Sequence, residues 1–221
     1  MSNLYSMTAP QEAVRHVFGI KRDYLEGQPP LPGILRDQLA PIVRLSPAGE
    51  RELVAMRWGF PAPPGIGARP IANIRNAHNS SWRPWLNKEF RCLVPATSFC
   101  YYGDQPKLPH WFGIDQTRPL FAFAGIWRPW TGRRSNQTKE HLLFSILTTE
   151  ANDVVREVNP KGMPVILMDD EWEVWLEADV RTALKLQRPW PAERLQIVDR
   201  GWREDAPSTA YLTQTRFDAP A

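Results

Sequence analysis

Cysteine and histidine are scarce in this chain, and what they would have built is excluded with them. Two cysteines in 221 residues, Cys92 and Cys100, give neither a disulfide framework nor a metal-ligand spacing. They read as two buried thiols beside strands. The four histidines (His16, His78, His110, His141) are scattered without ligand spacing, so no metal and no cofactor is expected. No apolar run approaches the roughly 18 to 20 residues that a membrane-crossing helix needs, so no membrane partner is expected either. The first residues hold no basic stretch followed by an apolar core, and a cytoplasmic, nucleoid-associated protein is expected. Glycine numbers 13 and forms no phosphate-binding loop. Gly65 and Gly67 sit among prolines and read as turn formers. Low-complexity segments and domain-sized repeats are also missing.

Proline and tryptophan are plentiful instead, at 22 and 10 residues. That many prolines forbid long helices and favour short strands joined by fixed turns. The tryptophans suit either a large aromatic core or stacking platforms for bases. A net charge of +3 is compatible with nucleic acid without demonstrating it. One local echo stands out: Trp82-Arg83-Pro84-Trp85 and Trp127-Arg128-Pro129-Trp130, with Arg188-Pro189-Trp190 as a partial third. Trp beside Arg can stack on bases and pair with phosphates, or pack at the rim of a core.

Local signals predict an α+β fold: one domain over residues 1–201 with a largely antiparallel, barrel-like sheet and short peripheral helices, then a polar, frayed tail over 202–221. Thr8 and Gln11 suggest a capping box with Pro10 in the first turn. Residues 21–38 read as irregular and 59–70 as a loop. Strands are expected at Pro41–Leu45 and Glu52–Trp58, joined by a Ser-Pro-Ala-Gly turn, and at 92–102, 110–114, 120–127, Leu142–Thr148 and Met163–Leu167. The polar stretch 131–141 reads as an exposed loop. Short helices are expected at Glu150–Glu157, capped by Thr148 or Thr149, after a cap at Asp169 or Asp170, and around Val180–Leu186.

Several segments together point further. They are Met1-Ser2-Asn3-Leu4-Tyr5, Met56-Arg57-Trp58-Gly59, Asn73-Ile74-Arg75, Arg91-Cys92-Leu93-Val94-Pro95-Ala96, Leu147-Thr148-Thr149-Glu150-Ala151-Asn152 and Met163-Pro164-Val165-Ile166-Leu167. In this combination the chain resembles the SRAP family (SOS response-associated peptidase), over nearly its whole length. The resemblance implies sensing of abasic sites in single-stranded DNA, by a monomer whose N-terminal residue, after Met1 is removed, links covalently to the sugar aldehyde. It places the site at residue 2, at Asn73, and at positions 101 and 159. Arg75, Lys161, Trp58 and Thr148 or Thr149 would contact DNA.

The residue types at those positions decide what chemistry is left. The family's cysteine at position 2 is Ser2 here, its glutamate is Tyr101 and its histidine is Asn159. An α-amine on Ser2 has an ordinary pKa near 7.7–8.0 and attacks an aldehyde to give a Schiff base. A cysteine thiol would then close a thiazolidine; a serine hydroxyl is the weaker nucleophile, and its ring reopens more readily. Asn73 can donate and accept around the sugar, and the Arg75 guanidinium suits a phosphate. Tyrosine and an amide are poor proton shuttles near pH 7. Three readings follow: a reversible Schiff-base protein with weak lyase activity, a non-catalytic binder of single-stranded DNA, and a protein-interaction module.

Overall fold

The computed structural model describes residues 4–62, 69–104, 107–134 and 137–212. The elements, in order, are β1 (Leu4–Met7), α1 (Gln11–Val17), β2 (Arg22–Asp23), β3 (Leu31–Leu35), β4 (Leu39–Leu45), β5 (Arg51–Trp58), β6 (Asn73–Ile74), β7 (Arg91–Ala96), β8 (Ser98–Tyr102), β9 (Pro109–Gly113), β10 (Phe121–Arg134), β11 (Gln137–Thr149), α2 (Asp153–Arg156), β12 (Met163–Pro164), β13 (Ile166–Leu167), α3 (Trp172–Glu177), α4 (Val180–Leu184) and β14 (Gln196–Arg200). The fold is α+β, as the sequence predicts.

Five strands close on themselves in the order β5-β4-β7-β10-β11. Every pairing in that ring is antiparallel except the closing seam, where β11 runs parallel to β5 with Phe144 opposite Trp58. Gly125 of β10 allows the tight wall: a Cβ there would come within 2.8 Å of both Cys92 Sγ and a Val94 methyl. A second, antiparallel sheet has the order β14-β9-β8-β1-β3. The two share one core, in which Tyr5 of β1 meets Trp58 of β5 edge-on at 5.0 Å and Phe123 of β10 at 5.8 Å.

The β4–β5 hairpin forms as expected, with Gly49 at φ +79° completing its turn and Ser46 N–H donating to Glu50 O. Both cysteines are buried and unbridged.

Other expectations fail for physical reasons. Residues 21–38 contain β2 and β3, and β3 pairs with β1 although it carries Pro32 and Gly33. Pro32 lies at the sheet edge, where a missing N–H costs no ladder bond. Thr8 does not cap α1; its hydroxyl accepts from Ser208 N–H and bonds Thr97 Oγ1. Gln11 likewise reaches Asp23 and Leu25 rather than closing a capping box. The expected loop 131–141 is the outer half of the β10–β11 ribbon, paired out to Arg134–Gln137. A ribbon solvated on both faces carries no apolar alternation to betray it. Asn152, not Thr148 or Thr149, caps the helix after β11, because both threonines are still in the strand. Ahead of α3, Glu171 rather than Asp169 or Asp170 accepts from the chain, at Met168 N–H.

The segment after 201, expected to fray, is tied down as far as the described residues run. Asp205 is buried and receives Arg118 Nε at 3.0 Å and Ser98 Oγ at 2.5 Å. Tyr211 OH accepts from Leu120 N–H. A buried charge with a partner 87 residues earlier, together with Ser208 donating to Thr8 and to Arg118 O, holds this strap, which no local pattern announces.

Candidate functional site

Asn73, Arg75, Thr148, Thr149 and the loop carrying Asn159 and Lys161 gather where three short pieces of strand meet. β6 lies parallel to β11, with Asn73 opposite Ile146 and Ile74 opposite Leu147. On its other side β11 ends against β12, with Thr148 opposite Pro164 and Thr149 opposite Met163. Asn73, Thr148 and Thr149 are thus fixed by adjacent ladders, and all three are buried. The Thr148 hydroxyl is enclosed without a hydrogen-bond partner among the described residues. Buried polar groups are ordinarily paired, so this one stands available to a ligand or a neighbouring segment.

Arg75 leaves the end of β6 with an exposed side chain. Its guanidinium lies against the loop before β12: a Cβ on Gly162 would sit 2.6 Å from Arg75 Nη1 and collide with the Thr149 carbonyl. Gly162 has φ +144°, a backbone conformation open to glycine. Asn159 folds the same loop, its Nδ2 donating to Gly162 O at 2.6 Å. Lys161, between them, is exposed. Two cationic side chains, Arg75 and Lys161, therefore flank one tight loop.

Gln187 was not singled out by the sequence. Its Nε2 donates to Arg75 O and to Thr148 O, both at 2.9 Å, and so ties the end of β6 to the end of β11. Nothing in its immediate sequence signals this, because its partners lie 112 and 39 residues away.

Three expected site residues have other commitments. Trp58 is fully buried, stacks on Phe144 at 6.3 Å and donates its indole N–H to Ala72 O at 2.9 Å. It has no face to offer a base, and it anchors the residue before Asn73 instead of lining a groove. Tyr101 is buried on the core side of β8, with its ring edge-on to Phe99 at 5.8 Å and to Phe112 at 6.2 Å. Asn159 is committed to its own loop.

Ser2 lies outside the described residues. Leu4, two positions on, pairs with Cys100 of β8 and Leu35 of β3. β1 runs antiparallel to β8, so the chain enters the sheet at the end where Tyr101 and Tyr102 lie. From there the core side runs through ring contacts Tyr101–Phe99–Phe123–Tyr5–Trp58 to Ala72 and Asn73. Burial pushes the Tyr5 hydroxyl well above its ordinary range, helped by repulsion from Cys92. Burial also pushes the Cys100 thiol up to about 12.

The tryptophan–arginine echoes pack on one another. Arg128 of one copy lies 4.5 Å above the ring of Trp85 in the other, and the row continues through Phe90 and Trp127 to Arg44. Together they form a cation–π row across these segments. Among the described residues, no group of three or more His, Cys, Asp or Glu side chains could hold a metal. No helix there is long and apolar enough to cross a membrane.

The sequence matches the SOS response associated peptidase (SRAP) family over residues 1–199. Among solved structures, a protein from Bordetella bronchiseptica superposes with a TM-score of 0.71 at 23% identity, covering 90% of this chain and 98% of the other. A protein from Bacteroides thetaiotaomicron gives 0.70 at 23% identity, covering 89% and 90%. A phage-related protein from Bordetella bronchiseptica gives 0.68 at 18% identity, covering 95% and 98%. These likenesses show the fold. No functionally curated protein matches. The chain belongs to the SRAP family.

Proposed function

We propose that this SRAP-family chain serves in the response to DNA damage by binding single-stranded DNA at abasic sites and holding the sugar aldehyde through the α-amine of Ser2 as a reversible Schiff base. The observation that carries the reading is the convergence of Asn73, Arg75, Thr148 and the Asn159–Gly162 loop at the ends of β6, β11 and β12.

Removal of Met1 is the prerequisite, since it frees the amine. Asn73 then orients the sugar, and Arg75 with Lys161 neutralises the flanking phosphates. Trp58 and Gln187 position these groups without touching DNA. Ser2 offers a hydroxyl where a thiol would trap the adduct, so the imine stays hydrolysable. The protein acts as a monomer near the nucleoid and needs no metal.

A second reading, binding without a covalent step, is favoured by one specific observation. Position 101 carries a buried aromatic side chain and position 159 an amide bonded to Gly162 O, so neither is the carboxylate or imidazole that ordinarily moves protons near pH 7. Borohydride reduction separates the two. A single-stranded oligonucleotide with one abasic site yields a gel-stable conjugate with borohydride and none without it under the first reading. Salt-sensitive binding with no conjugate in either lane supports the second.

A further inference from the structure

Of the three arginines in the tryptophan–arginine echoes, two are committed within the fold and one is not. Arg128 lies over the Trp85 ring at 4.5 Å, and Arg188 pairs with Glu171. Arg83 is exposed, and its side chain has no hydrogen bond or ion pair among the described residues. The local backbone explains its direction. Residues Ser80–Leu86 form a 3-10 helix, in which side chains three apart eclipse. Trp82 and Trp85 therefore share one face, with Trp82 against Phe60 at 6.1 Å and Trp85 edge-on to Phe90 at 4.9 Å. Arg83, between them, is turned off that face and into a cleft against α4.

The cleft holds about 670 Å³. Arg83 and Leu86 line it from the 3-10 helix, Val180, Arg181 and Leu184 from α4, and His78 from the turn after Arg75. Arg181 is exposed, and its side chain likewise has no partner among the described residues. No carboxylate belongs to the lining among the described residues. Asp179, two residues before Arg181, is held at the start of α4, where it accepts from Thr182 N–H and Oγ1. Two connections join the cleft to the Asn73–Arg75 site. His78 is three residues past Arg75, at most about 11 Å along the chain. Gln187, three residues past Leu184, donates to Arg75 O at 2.9 Å. One wall is thus continuous with β6, and the other is pinned to it.

A strand held at Arg75 carries further phosphates away from that point, and each is stabilised by a cation along its path. Guanidinium groups suit phosphates, and the apolar side chains between them suit the sugars. We infer that the cleft between the 3-10 helix and α4 carries one flank of the single-stranded DNA away from the Asn73–Arg75 site, with Arg83 and Arg181 binding its phosphates from facing walls. This rests on the DNA-binding reading above and needs no covalent step.

The test is fluorescence anisotropy of the full chain on two short single-stranded oligonucleotides. One carries the abasic site at its 5′ end and the other at its 3′ end, so each offers a flank on one side only. Compared are the wild type, Arg83→Ala, Arg181→Ala, the double variant and, as a control of equal charge change, Arg200→Ala on β14 of the other sheet. With one of the two oligonucleotides, each cleft variant should flatten the dependence of log affinity on log salt by about 0.7, and the double variant by about 1.4. With the other oligonucleotide the slope should stay that of the wild type, as it should for Arg200→Ala with both, and melting temperatures should not change. Wild-type slopes in the cleft variants, or equal flattening with either flank or in Arg200→Ala, overturn the cleft and leave DNA binding in place. No salt-dependent binding by the wild type overturns the DNA-binding reading and this inference with it.

Discussion

Arg75 and Gly162 meet across the site so closely that one added methyl group would have no room. A Cβ on Gly162 would lie 2.6 Å from Arg75 Nη1 and would strike the Thr149 carbonyl. The missing side chain lets the loop before β12, which carries Lys161, pack directly against the Arg75 guanidinium.

Gly162→Ala therefore disturbs the site from inside its loop. The φ of +144° adds backbone strain to the collision. Expected is a loss of about 1–3 kcal/mol in stability, together with weaker binding of single-stranded DNA. Thermal unfolding and anisotropy measure the two effects separately.

Arg75→Ala and Lys161→Ala should each weaken binding of single-stranded DNA whatever the sequence. Each should also flatten the dependence of log affinity on log salt by about 0.7. Anisotropy titrations at four or five salt concentrations read that slope. A variant whose slope equals the wild type's does not contact phosphate.

The chain shows which parts of this architecture a sequence can announce. The β4–β5 hairpin was legible because its apolar alternation and its Ser46–Gly49 turn are local. The buried face of α3, with Trp172, Trp175 and Leu176, was legible for the same reason. Asn73 and Arg75 were singled out through resemblance, and spacing alone would have left them as a turn. Thr8, Gln11, Gln187 and Asp205 were misread or missed because each side chain serves a partner distant in sequence. Trp58 was misread because tryptophan suits a core and a DNA groove equally, and burial alone decides between them.

Asp205→Asn should be clearly destabilising, at about 2–4 kcal/mol, because it leaves buried Arg118 with only the more distant Asp199 carboxylate, at 4.0 Å. Replacing both partners together, Arg118→Met with Asp205→Leu, should recover much of that loss. Chemical denaturation of the two variants beside the wild type supplies the comparison. Equal losses in the single and double variants would mean that the ion pair is not what holds the strap.

Cys100 gives a pH signature. Burial raises its thiol pKa from 9.0 to about 12, so the folded state holds the proton more tightly than the unfolded state. The associated stability is fully present below about pH 9 and is lost as pH rises from there toward 12. Cys100→Ala should flatten the alkaline fall in unfolding free energy over that window. The native thiols should also resist a thiol reagent at pH 7.5, when followed by absorbance against the unfolded protein.

Attachment through the Ser2 nitrogen is read out by peptide mapping of the borohydride-reduced conjugate. Mass spectrometry after proteolysis should find the reduced sugar on the N-terminal peptide, attached to the α-nitrogen of Ser2, with Met1 gone. A conjugate mapping to a lysine or to either cysteine, or one formed equally well by protein that retains Met1, would contradict it.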